Sequence, residues 1–300
     1  MGYLFLTLAL FAGMIKGFCG KKTSGFVEKT RDAFLINIIR MILCTVTGII
    51  VVLCSKHASF LIPDTTGLLI CILSGVSTAF FVAFWLLAIR KSAYMLMDVF
   101  LLAGTLIPML LSNIFFNESI LLHQWGGFLL LLIAVIIMCS YNSTIKEKLS
   151  IASLILLVLT GIMGGITNFS QKLFVNLCST TPASVFNLYT YIFSAVTLIV
   201  FYIIFTKTDK EQGVGISFAT IPKKMFLYIV IMAVCLFANS FFNTKAAYFL
   251  DSAKMYPFEQ GASLVLSSLM SAIFFKEKLT LKAVIGITLT FIALLIINVL

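Results

Sequence analysis

The sequence predicts an all-α polytopic membrane protein with ten transmembrane helices, arranged as two inverted five-helix repeats. Its composition is the first reason, because 61% of the 300 residues are hydrophobic and only 11% are charged. The mean hydropathy of +1.13 lies outside the range of ordinary water-soluble domains. The second reason is a series of apolar runs of about 20 residues, the length that crosses a bilayer as a helix. The third reason is an internal duplication of the chain.

The ten predicted spans follow one another with turn residues between them. They cover residues 3–18, 33–53, 67–89, 93–116, 120–139, 151–171, 183–206, 225–249, 254–275 and 281–299. Pro63-Asp64, Thr181-Pro182 and the long loop 207–224 are clear turn signals. The first run lacks a basic start and a small-residue cleavage site, so we expect a spanning helix rather than a signal peptide. A β-barrel is not predicted, because no alternation of about ten residues recurs.

The duplication appears as identical residues at one constant spacing in the two halves. These pairs are Ala88/Ala247, Ser112/Ser271, Phe116/Phe275, Glu118/Glu277, Leu122/Leu281, Gly127/Gly286 and Ala134/Ala293. Pairs such as Gly13/Gly164, Phe18/Phe169 and Lys21/Lys172 match at a slightly shorter spacing, because loop 207–224 is longer than its counterpart around 56–66. Each repeat, 1–140 and 150–300, therefore holds five spans. An odd number makes the second repeat enter the membrane upside down, an architecture typical of secondary transporters.

Three features of these repeats resemble a known family. The fourth span of each half ends in Phe-Phe-x-Glu and precedes an aliphatic helix that contains glycine; Arg40 stands in the second span, and Pro257 opens the ninth. In this the chain resembles the EamA-like members of the drug/metabolite transporter superfamily. The resemblance implies ten helices in two repeats and a secondary transporter, whose cavity lies between spans 1–4 and 6–9 with spans 5 and 10 peripheral. The chain departs from the family pattern at Asp98, the counterpart of Pro257, and in the basic stretch after the first span.

The charge distribution predicts an orientation that conflicts with the resemblance. Connections on the side of the termini carry few basic residues, whereas the opposite connections carry many: Lys21, Lys22, Lys29, Arg31, Arg90, Lys91, Lys146, Lys148, Lys207, Lys210, Lys223, Lys224, Lys276 and Lys278. The positive-inside rule places both termini outside the cell. The resemblance implies termini in the cytoplasm.

Polar side chains within the spans are the candidate site residues, because a charge at the centre of a bilayer costs about 2.5–3.5 kcal/mol. The substrate-binding candidates are Arg40, Trp85, Asp98, Asn168, Gln171, Asn187, Tyr191, Asn239, Asn243, Lys245 and Glu259. Arg40 would bind an anionic substrate group, or instead extend to the membrane interface or form a structural pair. Asp98 would take up a proton, or instead be solvated at the interface or pair with Arg90 or Arg40. The asparagine and glutamine spacings place each set on one helix face, which would line a wet cavity or bond neighbouring helices. The aromatic residues would recognise substrate or anchor the membrane interface.

Two further hypotheses concern acidic residues. Lys245 and Glu259 stand equally far from the turn between the eighth and ninth spans, and we expect them to form an ion pair, either structural or coupled to transport. Glu118 and Glu277 are expected at the first turn of a helix, where a carboxylate complements the helix dipole.

The sequence also excludes several function classes. The seven cysteines show no metal or disulfide spacing, and no catalytic triad order, phosphate loop or metal cluster is present, so neither an enzyme nor a cofactor is expected. The net charge of +10 indicates topology and anionic lipid headgroups rather than nucleic acid. The expected function is gradient-driven transport of a small organic solute, a metabolite, amino acid or drug, across the plasma membrane. The alternative is a non-transporting scaffold or receptor, and both proton coupling and a homodimer stay open.

Overall fold

The computed structural model describes residues 1–24, 30–55, 61–91, 94–139, 151–178, 180–208, 221–274 and 281–299. Within these ranges the chain forms eleven α-helices and no strand, which confirms the predicted all-α class. The helices are α1 (Gly2–Ser24), α2 (Thr30–Cys54), α3 (Thr65–Lys91), α4 (Tyr94–Gly104), α5 (Leu106–Phe116), α6 (Leu122–Cys139), α7 (Ile151–Leu177), α8 (Ala183–Thr208), α9 (Lys223–Ala247), α10 (Ser252–Phe274) and α11 (Leu281–Val299).

The predicted fourth span is interrupted near its middle, between α4 and α5. Pro108 has no N–H to donate to the carbonyl of Gly104, and its ring would clash with that carbonyl in a continuous helix. Thr105 occupies the break, where its hydroxyl donates to the Leu102 carbonyl oxygen at 2.7 Å. Together α4 and α5 form one crossing, so the described helices make the ten crossings that the sequence predicts.

The outer surface of the helix bundle is apolar. Six described helices, α1, α2, α3, α7, α8 and α9, are long and apolar enough to cross a membrane. Phe100–Phe116, Leu122–Ile137 and Val284–Val299 are shorter apolar segments. Large side chains such as Leu53, Ile133 and Leu295 are more than half exposed. A surface of this kind belongs in lipid rather than in water, and the chain is an integral multi-pass membrane protein.

The helix contacts repeat when the two halves are exchanged. α1 packs along α9, and its counterpart α7 packs along α3, the counterpart of α9. Two contacts join a helix to its own repeat equivalent, namely α2 with α8 and α6 with α11. Such a pattern is expected of two repeats related by a two-fold axis. The superposition of residues 1–139 on 151–299 stays a prediction.

Close backbone contact joins α4 to α7 across the two halves. A Cβ atom on Gly161 would lie 2.4 Å from the Phe100 carbonyl oxygen, and one on Gly104 would lie 2.3 Å from the Gly161 carbonyl oxygen. Gly165 lies one turn further along α7, and a Cβ there would be 2.4 Å from the Gly104 carbonyl oxygen. Small residues four apart let membrane helices approach in this way.

Replacing Gly161 with alanine should therefore destabilise the protein by about 1–3 kcal/mol, the usual cost of overpacking. Gly126→Ala is the matched control, because nothing lies within 4 Å of a Cβ at that position. In a helix this control should be neutral or stabilising. Thermal unfolding of the detergent-purified variants measures both effects, and equal melting temperatures for the two would contradict the close contact.

Candidate functional site

A cavity of about 140 Å³ lies inside the bundle and is lined by α1, α3, α4, α7, α8, α9 and α10. This volume is close to that of a cavity that holds a molecule of benzene size. Seven of the candidate residues line it: Trp85, Asn168, Gln171, Tyr191, Asn239, Asn243 and Glu259. The structure thus brings together side chains from both halves of the chain.

The charged groups of the cavity are connected through amides of α9. Lys16 Nζ on α1 donates to Asn239 Oδ1 at 3.4 Å, and Asn239 Nδ2 donates to Glu259 Oε1 at 3.5 Å and to the Ala9 carbonyl oxygen at 2.9 Å. Asn243 Nδ2 donates to the same Glu259 oxygen. Among the described residues no carboxylate lies within 4 Å of Lys16 Nζ. A cation and an anion therefore face one cavity without forming an ion pair.

Local sequence explains how these groups meet. Asn239 and Asn243 lie four residues apart on α9, so both face the cavity. Gly13 on α1 leaves room for Asn239, whose Nδ2 would be 3.2 Å from a Cβ at that position. Pro257 lies inside α10, which begins at Ser252, rather than opening the helix as the sequence suggested. It has no N–H for the carbonyl of Ala253, which interrupts the helix hydrogen bonds just before Glu259.

The two halves contribute different chemistry to the wall. The first half supplies the apolar residues Phe81, Trp85 and Leu101, and the second supplies most of the polar ones. Two repeat-equivalent pairs show the divergence, Phe81/Ser240 and Leu101/Gln260. The cavity is consequently amphipathic, with aromatic residues and a set of amide and carboxylate groups in its wall.

Two acceptors of the polar wall have no hydrogen-bond donor among the described residues. Gln171 Oε1 and Asn243 Oδ1 are both buried without a partner, although the Gln171 amide nitrogen donates to Ser240 Oγ at 3.2 Å. A buried acceptor without a donor costs about 1–3 kcal/mol. A ligand with donor groups would remove this cost.

Arg40 lies beside the cavity and does not line it. Its side chain is fully buried, with Nη1 donating to Met232 Sδ at 3.5 Å and Nε without a partner. Met232 precedes the lining residue Leu236 by one turn of α9. The Arg40 guanidinium contacts α9 behind the cavity wall, and its contact with a substrate stays a prediction.

Comparisons with known proteins bear on the identity of this bundle. The sequence pattern that defines the EamA-like transporter family matches residues 149–299, which is half of the chain. The chain belongs to this family. A solved protein crystal structure is similar to this EamA-like chain with a TM-score of 0.76 at 13% identity. The similarity covers 99% of this chain and 96% of that one, and it shows the shared fold. No curated protein matches the sequence.

Lys245 of this EamA-like protein does not pair with Glu259. Its Nζ lies over the rings of Phe5 and Phe241, at 5.7 and 5.3 Å from the ring centroids. Equal depth was the basis for the expected pair, but successive helical residues turn by about 100°. Lys245 therefore points away from the face that Asn239 and Asn243 present to Glu259.

The two remaining candidates are Asn187 and Asp98. Asn187 is behind the wall, where its Oδ1 accepts from Ser240 Oγ at 2.6 Å and its Nδ2 donates to Thr244 Oγ1 at 3.1 Å. It holds α8 against α9. The side chain of Asp98 lies outside the described residues, although its backbone belongs to α4.

Glu118 lies at the start of a different helix from the predicted one. α6 begins only at Leu122, and the Glu118 carboxylate accepts instead from the backbone N–H of Ser252 at 2.8 Å, at the start of α10. The carboxylate does lie at the N-terminus of a helix, as predicted, but this helix is α10 rather than α6. Glu277 lies outside the described residues.

Lys16 is the cavity residue that sequence reasoning missed in this EamA-like chain. It is the one charged residue in the first apolar run, 3–18. A charge at that depth was a sufficient signal by the same rule that selected Arg40. Other polar residues of the wall, Thr78, Thr167, Ser240, Gln260 and Ser263, carry no such signal, because hydroxyls and amides are common between membrane helices.

Proposed function

We propose that the chain is a secondary transporter that carries a small organic solute across the membrane by alternating access. The cavity is the binding site in this proposal. The observation that supports it most is the chain of groups Lys16, Asn239, Glu259 and Asn243, since charges inside a membrane bundle normally serve a solute or ion path. The EamA-like family is one of transporters, and its match supports the same class.

The wall chemistry supports a solute with a donor group at one end. An amine or amide nitrogen would donate to Glu259, Asn243 Oδ1 and Gln171 Oε1, and an acceptor group would receive a hydrogen bond from Lys16. The apolar part would pack against Phe81 and Trp85. Small metabolites, amino acids and amine drugs have this pattern, and the volume of about 140 Å³ favours the smaller ones.

Glu259 is the proposed site of coupling to a proton gradient. Its carboxylate is held by two amides, and Lys16 is the only cation among the lining residues. Protonation would remove the negative charge and loosen a bound amine. The solute and the proton would then compete for one carboxylate, which is sufficient for exchange.

An uptake screen with purified protein in liposomes tests the proposal. Amines, amino acids and carboxylic acids are offered with and without an imposed proton gradient, and internal solute is measured by mass spectrometry. We expect accumulation of at least one class above empty liposomes. Binding without uptake would favour the scaffold or receptor alternative.

We further propose a plasma-membrane location with both termini outside, as the charge distribution predicts. A single cysteine at Lys210, in a variant without native cysteines, should resist an impermeant thiol reagent in intact cells. It should react after the cells are opened. Labelling in intact cells would reverse the orientation.

A further inference from the structure

A buried ion pair outside the cavity joins the two halves of the protein. Glu118 Oε1 and Lys172 Nζ are 2.8 Å apart, and their side chains are only 13% and 5% exposed. Both charges have lost most of their water, which is costly unless each charge is fully hydrogen-bonded. The neighbouring groups meet this requirement.

The pair is bonded to the ends of two further helices. Glu118 Oε2 accepts from the Ser252 N–H at the start of α10, and Lys172 Nζ donates to the carbonyl oxygens of Ala247 at 3.2 Å and Leu250 at 2.7 Å, where α9 ends. Ser252 Oγ also donates to Ser112 Oγ at 2.8 Å. The charges complement the helix ends, with the anion at an N-terminus and the cation at a C-terminus.

This network crosses one end of the cavity. On α7 it follows directly after the lining residue Gln171, and on α9 it lies one turn beyond Asn243. On α10 it lies two turns before Glu259, on the same side. Tyr256 Oη donates to the Asn168 carbonyl oxygen at 2.7 Å, in the layer between the network and the cavity.

We propose that Glu118 and Lys172 form a gate that closes this end of the cavity and opens once in each transport cycle. The proposal rests on the alternating access proposed above. Both gate residues belong to identical pairs of the repeat, Glu118/Glu277 and Lys21/Lys172. In an inverted-repeat transporter the two halves exchange conformations during the cycle. A contact between duplicated residues can then form on one side of the membrane while its repeat equivalent opens on the other.

Accessibility of a reporter cysteine tests the gate without any knowledge of the solute. In a variant without native cysteines, Ser263→Cys reports on the cavity wall, and Ser112→Cys with Ser252→Cys allows a disulfide across the gate. An impermeant maleimide is applied to each face of the membrane in sealed vesicles of both orientations. In one sample the disulfide is formed before labelling. In a second sample it is reduced, and the reductant is removed before labelling.

With the disulfide formed, we expect the reporter to react from one face only. In a variant whose single cysteine is the Ser263→Cys reporter, Glu118→Gln should raise the reaction from the closed face about tenfold or more, because a hydrogen bond to a charged group is worth that factor. Variants with Ser112→Cys or Ser252→Cys alone are the controls for the disulfide. Size-exclusion chromatography verifies that Glu118→Gln is folded.

The gate is refuted if the disulfide forms fully and labelling from both faces stays unchanged, with Glu118→Gln also without effect. This result differs from a failure of the proposed function. A protein that moves no tested solute can still show a gated cavity, and a transporter can show an ungated end.

Discussion

Replacing Lys172 with methionine should destabilise the folded protein by about 3–5 kcal/mol, because it leaves the Glu118 carboxylate buried beside an apolar chain. The carbonyl oxygens of Ala247 and Leu250 lose their donor in the same variant. Thermal unfolding and denaturant titration of the purified protein measure the loss. We expect it to be among the largest of any single substitution in the chain.

Lys245→Met is the matched control for this prediction. Lys245 is also partly buried near the end of α9, where its ammonium lies over the rings of Phe5 and Phe241. Loss of such contacts costs about 0.5–2 kcal/mol. The double variant Lys172→Met with Glu118→Gln should recover part of the stability, since no unpaired charge remains. An equal loss of stability in the single and double variants would mean that the charges of Glu118 and Lys172 do not stabilise each other.

Glu259→Gln should strongly reduce proton-driven uptake of the transported solute while leaving the protein folded. Glutamine keeps an oxygen that accepts from Asn243 and Asn239, so the wall retains its shape. The glutamine amide carries no charge and takes up no proton at physiological pH. The rate of gradient-driven transport should fall by about tenfold to a hundredfold, the factor for a lost charge-assisted hydrogen bond of about 1.5–3 kcal/mol.

The matched control for Glu259 is Asp251→Asn, which removes a carboxylate from the exposed turn between α9 and α10. Uptake by this variant should equal that of the unmodified protein. Gradient-driven uptake that survives Glu259→Gln at full rate would remove this residue from the coupling step. Solute exchange without a gradient, measured in the same liposomes, separates binding from coupling.

The number of membrane crossings could be predicted from the sequence, because an apolar run of about 20 residues in lipid has to form a helix. The break between α4 and α5 could have been predicted as well, since Pro108 stands inside the fourth span. The continuous apolar run around Pro108 nevertheless led to the prediction of one unbroken helix. The contact between α4 and α7 required the structure, because Gly104 and Gly161 are far apart in the chain.

The grouping of candidate residues around one cavity could be predicted where one helix face carries them together. Asn239 and Asn243 share a face by their spacing alone, and both line the cavity. Arg40 and Lys245 illustrate the limit of this approach, because depth in the membrane does not determine the direction of a side chain. The partner of Glu118 could not be predicted either, since its contact with Lys172 and Ser252 depends on how the halves pack.

The most direct test of alternating access uses a cysteine on the aromatic side of the cavity. Thr78→Cys, in a variant without native cysteines and with the gate residues intact, is exposed to an impermeant maleimide from each face of sealed vesicles. We predict that it reacts from both faces, and that a transported solute slows both reactions. Reaction from only one face under every gradient and solute condition would contradict a cavity that changes sides.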